Sequence, residues 1–96
     1  MHDSYVAVPA IETEIVEYCI NELGLVFGDF WYEWFDSNKQ GNHILLIKSK
    51  ERIADGKVRE TFPALSFVKE IIRVRPCPVY FDEDFKFEQY IQFRTK

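Results

Sequence analysis

Few side chains in these 96 residues could carry chemistry, and each has a plainer role to be weighed against it. There are two histidines, His2 and His43, and two cysteines, Cys19 and Cys77. Neither histidine stands at ligand spacing from a cysteine or from the other, so the sequence offers no metal site within one chain. It shows no glycine-rich phosphate loop and no nucleophile elbow, and it implies no cofactor. Cys19 falls on the apolar stripe of a helix, where a thiol behaves as a small buried hydrophobe. Cys77 is held between Pro76 and Pro78. A reactive thiol needs a depressed pKa and exposure; Arg73 and Arg75 are near, but nothing supplies a base.

Carboxylates come as Asp29 with Glu33 and as the run Asp82-Glu83-Asp84. Hydrolytic acids must face each other across a substrate at set distances. Asp29 and Glu33 are expected on one strand face instead, and the run reads as a solvated turn. Glu33 sits between aromatic neighbours, where desolvation would raise its pKa. A structural or ligand-orienting role fits it better than acid catalysis. The sequence leans away from an enzyme.

Charge is laid out unevenly. Residues 1–38 hold eight acids and no Lys or Arg, whereas residues 39–75 hold nine bases against four acids. The net formal charge of −4 disfavours general nucleic-acid coating. Lys48, Lys50, Arg52, Lys57 and Arg59 are expected to gather on one hairpin face, a basic cluster that needs a counter-charge. The acidic helix of the same chain, that of a second copy, or an outside anion could supply it. A solvated, aggregation-resistant edge is the plainest reading of all.

These residues are positioned by elements that the spacing also suggests. Ile11, Ile15, Cys19 and Leu23, flanked by Val16 and Ile20, predict a helix over 10–23. Pro9 would open it, and Gly24 would close it in the left-handed region with Leu25 folding back towards Ile20. Residues 29–36 predict an aromatic strand, 37–42 a hairpin loop and 43–49 the returning strand. Period-two counting puts Phe30, Tyr32 and Trp34 on one face and Trp31 and Phe35 on the other. The returning strand is apolar on both sides too, so both faces of this pair need cover.

Asp55-Gly56 is a type I′ turn signal that would pair Ile53 with Val58 and Arg52 with Arg59. Pro63 could open a second helix over 63–72, with a strand through Ile71–Val74 as the competitor. Arg75-Pro76-Cys77-Pro78 must be extended, and a short strand, Val79–Phe81, follows. Phe85, Phe87, Ile91 and Phe93 alternate with polar residues in a last strand, where Gln89 is the one polar inward member.

The whole reads as a single α+β domain over 1–96: an N-terminal helix packed on a curved antiparallel sheet of four to five strands, with room for a second short helix. No run approaches the ~18 apolar residues of a membrane span. Met1 to Ser4 lacks the basic start of a secretory signal, and two cysteines make no disulfide framework, so a reducing cytoplasm is the expected setting.

Nine Phe, five Tyr and two Trp cannot all be hidden by a chain this short, which buries about 60–70% of its unfolded surface. The leading functional expectation is therefore a non-enzymatic interaction domain. Its segment Trp31, Tyr32, Glu33, Trp34 and Phe35 would bind a second copy or another protein. The rival is a small-molecule binding domain or minimal enzyme, its apolar ligand enclosed by Tyr32, Trp34, Phe85 and Phe87 and oriented by Glu33 or Gln89. A third reading, nucleic-acid contact through the basic hairpin with an aromatic for stacking, is disfavoured by net charge.

Overall fold

The structure, a computed structural model, describes residues 4–36, 42–77 and 84–96. Helix α1 (Ser4–Asn21) leads into strand β1 (Phe30–Asp36) and strand β2 (Asn42–Ser49). Helix α2 (Asp55–Thr61) and a 3-10 turn (Phe62–Ala64) follow, then strands β3 (Val68–Cys77) and β4 (Phe87–Thr95). The four strands make one antiparallel sheet in the order β1-β2-β4-β3. This is the α+β architecture that the sequence implies.

Helix α1 is longer at its start than its apolar stripe suggests, and Pro9 lies inside it rather than at its opening. Proline lacks an N–H, so one internal bond is lost there, but the helix continues. Its end follows expectation. Gly24 has φ +71°, and the Leu25 N–H donates to the Cys19 carbonyl at 2.9 Å, which satisfies a terminal carbonyl from beyond the cap. Leu25 turns into the core, while Ile20 stays exposed.

The Asp55-Gly56 hairpin does not form. Gly56 is not among the positive-φ glycines, so the pair cannot make a type I′ turn. Val58, Phe62 and Leu65, four and seven residues apart from the first, are all buried. That helical spacing overrides the turn signal and winds the segment into α2 and the 3-10 turn. Pro63 stands in the first positions of that turn, and Leu65 is already extended. The expected helix over 63–72 is therefore displaced by its competitor: β3 pairs with β4 across Ile71↔Phe93 and Val74↔Ile91. Two register shifts, between Val68 and Glu70 and between Ile71 and Arg73, break its alternation. Residues 75–77 are extended as the flanking prolines require. The proposed strand Val79–Phe81 and the acids Asp82 and Glu83 lie outside the described residues.

One face of the sheet carries the core. Leu45, Ile47, Ile91 and Phe93 pack there with Ile15, Tyr18 and Cys19 of α1, Val58 of α2 and Phe62 of the 3-10 turn. Polar bonds pin the helices over this face. The Tyr18 hydroxyl and Thr61 Oγ1 lie 2.7 Å apart, and Glu14 accepts from the Ser66 N–H at 2.6 Å and from its hydroxyl at 2.5 Å. Among the described residues, no helix is long and apolar enough to cross a membrane.

Candidate interaction surface

The ladder sorts the aromatic segment by parity. Phe30 is buried, and Tyr32 and Trp34 pack against the core. The Trp34 ring lies 5.3 Å from Phe93, 5.6 Å from Phe67 and 5.3 Å from His43. Tyr32 bonds Glu12 of α1, and its hydroxyl is pushed up to about 12, by burial first and then by that carboxylate. Trp31, Glu33 and Phe35 point the other way. The five residues of the candidate binding segment thus divide three to two, with Trp31, Glu33 and Phe35 on the outer face.

That outer face can be reconstructed row by row from the register. Glu33 pairs with Leu46, Leu46 with Tyr90, and Tyr90 with Arg75. On one side of this row runs Trp31–Lys48–Glu88–Cys77, and on the other Phe35–Ile44–Gln92–Arg73. Trp31 is 59% exposed and Phe35 45% exposed. Ile44, Leu46 and Tyr90 are half-buried between them by neighbouring side chains. Every described helix packs on the opposite side.

Lys48, Glu33, Glu88 and Arg75 of this face find partners within the chain. Lys48 Nζ is 3.6 Å from Glu33 and 4.0 Å from Glu88. The Arg75 guanidinium lies 4.6 Å above the Tyr90 ring, a cation–π contact. At the rim, Arg94 reaches Glu70 at 3.6 Å.

The basic residues grouped by the sequence do not assemble. Lys48 belongs to β2, Lys50 follows it and pairs with Asp29 at 3.2 Å, and Arg52 is exposed in the connection to α2. Lys57 and Arg59 sit on α2, where Arg59 donates to the Val74 carbonyl at 3.0 Å. Loss of the hairpin scatters them, and Glu33 and Glu88 supply counter-charge to Lys48 as Asp29 does to Lys50.

Of the chemistry-bearing candidates, Cys19 is fully buried and its thiol is pushed up to about 12 by burial. Burial and then Glu88 raise the Cys77 thiol above its ordinary value, against a smaller opposite pull from Arg75. Both disfavour the thiolate, the reactive form. His43 packs its ring on Trp34 and Phe93 and sits 3.2 Å from the Thr95 hydroxyl. Asp29 and Glu33 each face a lysine rather than a shared substrate space. Among the described residues, no three His, Cys, Asp or Glu side chains gather where they could hold a metal.

Phe85 and Phe87 stand towards the Phe30 end of the inner face, since Phe87 pairs with Ser49 and Ser49 with Phe30. Trp34 lies at the Phe93 end. Gln89 is inward as expected, 2% exposed, and its amide donates to Asp55 Oδ1 at 2.6 Å. Sequence reasoning missed one exposed feature. Val26 and Phe27, 63% and 77% exposed, sit on a turn closed by the Asp29 N–H to the Val26 carbonyl at 2.8 Å, with Gly28 at φ +92°. The glycines at 24 and 28 that bracket this segment are the signal that could have found it.

Comparison with protein-family models, with curated proteins and with solved structures finds no match to this chain.

Proposed function

We propose that this chain is a non-enzymatic interaction domain that associates with a second copy of itself through the outer face of its sheet. One observation carries the reading. An indole and a phenyl ring stand exposed on that face beside half-buried Ile44, Leu46 and Tyr90, while the described helices lie behind it. Exposed apolar surface rimmed by polar residues in this way marks interaction sites. Its makeup of Trp, Tyr, Phe and Arg is also the composition that dominates interface energetics.

The chemistry of these side chains supports a binding role rather than a catalytic one. Burial disfavours the thiolate at both cysteines, and Asp29 and Glu33 each face a lysine. Free Cys19 and Cys77 accord with a reducing compartment such as the cytoplasm.

Light scattering and sedimentation across micromolar concentrations test the proposal. The expected result is a mass that rises from monomer to dimer with concentration. A chain that stays monomeric throughout would refute it.

A further inference from the structure

The rows of the outer face carry more than apolar surface: the central one is complementary to its own reversal. Read across the sheet, the central row is acidic at one edge, apolar in the middle and basic at the other: Glu33, Leu46, Tyr90, Arg75. Resting on the self-association reading above, we propose that two copies stack face to face about a two-fold axis running along the strands. In this arrangement Glu33 and Arg75 are the residues that specify the partner.

The geometry follows from symmetry. A two-fold axis lying between two stacked sheets and along their strands reverses strand order while leaving position along the strand unchanged. In the order β1-β2-β4-β3, β1 of one copy then covers β3 of the other, and β2 covers β4. Glu33 meets Arg75, and Leu46 meets Tyr90. In the adjoining rows, Lys48 meets Glu88, Phe35 meets Arg73, and Trp31 lies over Cys77. Each of these meetings occurs twice. An axis across the strands, through the central row, would instead stack β3 on β3 and set Arg75 against its own copy, a like-charge contact.

Stacked sheets sit ~10 Å apart and turn by about 30° relative to each other. That turn slides the edge strands by roughly one residue, a shift that long Glu and Arg side chains can span. Arg75 is exposed, and its guanidinium stands 4.6 Å above the Tyr90 ring on the side that faces the partner copy.

Charge reversal tests the pairing. Glu33→Arg alone and Arg75→Glu alone should each raise the dimer dissociation constant on the order of a hundredfold, because each sets like charges together at two places. An equimolar mixture of the two variants should recover near-native affinity as a heterodimer, and so should the double variant. The mixture is the decisive arm. Any disturbance of Lys48 or Tyr90 within a chain persists in it, and only the contact between copies is repaired. Circular dichroism and thermal melts check that each variant is folded. Should Glu33→Arg fail beside Lys48, a double-mutant cycle with Glu33→Gln and Arg75→Gln measures the same coupling. Dimeric wild type with no recovery in the mixture, or single variants that still dimerise, would overturn this arrangement and leave self-association standing, for example through paired β1 edges. A wild type that never dimerises would defeat the underlying reading itself.

Discussion

On β2, Leu45 and Ile47 are fully buried, whereas Ile44 and Leu46, of the same chemistry and one residue away, remain partly exposed. The same holds on β1, where Trp34 is ringed by Phe67, Phe93 and His43 while Trp31 stands in solvent. Apolar type alone does not separate these residues of β1 and β2, although the charged Glu33, Lys48, Arg73, Arg75 and Glu88 all lie on the outer face. What separates them is that α1, α2 and the 3-10 turn together supply enough apolar surface for one side only. The inner face is a core held by packing, and among the described residues the outer face has core-like side chains without that cover.

The sharpest way to break this comparison is to truncate one phenylalanine on each side. Phe93 is fully buried amid Phe62, Phe67 and Trp34. Phe93→Ala should cost ~3–5 kcal/mol of folding stability, a large share of the ~5–15 kcal/mol such a domain possesses. Phe35→Ala should leave the melting of a dilute sample unchanged within ~0.5 kcal/mol while weakening self-association by roughly tenfold or more. Chemical denaturation at low concentration and light scattering at high concentration separate the two effects. Equal losses of folding stability would mean that the faces do not differ as described.

A second test titrates the inner face alone. Burial holds the Cys19 thiol up to about 12 against an ordinary 9.0, and holds the Tyr18 hydroxyl up to about 12 against 10.0, with its bond to Thr61 opposing. Burial likewise raises Tyr32 to about 12. Between the ordinary and the folded values, the unfolded chain has released protons that the folded chain still holds. Stability is therefore fully present below the ordinary value and falls as pH rises towards the folded one. Cys19, the most buried of the three, contributes on the order of a few kcal/mol at most. Thermal melts from about pH 8 to about pH 11 should show a steady fall, and Cys19→Ala should remove its earliest part. A flat profile would contradict the burial of these groups.

Much of this contrast is legible in the sequence, and the failures have physical causes. Alternation along 29–36 and 43–49 assigns the two faces, because successive strand side chains point oppositely whatever covers them. Helix α1 shows in the spacing of Ile11, Ile15 and Cys19, and its end in Gly24. Asp55-Gly56 misleads because a local turn preference of two residues is outweighed by the burial of Val58 and Phe62. β3 is hard to see because its two bulges space the inward residues Val68, Ile71 and Val74 three apart, which replaces the period-two signal with a helix-like one. The outer rows need all three registers, so no single segment could display them. Arg75 enters the candidate surface only once β3 is placed beside β4.

The smallest expected effect concerns Gln89, a polar residue that the inner face admits between Ile47 and Pro76. Gln89 is buried and bonded to Asp55, whereas Asp55 is only half-buried. The two partners are therefore not equivalent. Asp55→Ala leaves an amide donor in the core without that acceptor and should cost ~1–3 kcal/mol. Gln89→Leu keeps the volume and leaves an acid that can turn to water, so its cost should stay below ~1.5 kcal/mol. The double variant should then be no worse than Asp55→Ala alone, a departure from additivity that a double-mutant cycle reads directly. Costs that simply add would mean the bond contributes nothing of its own. The inner face would then be held by apolar packing without this polar tie between β4 and α2.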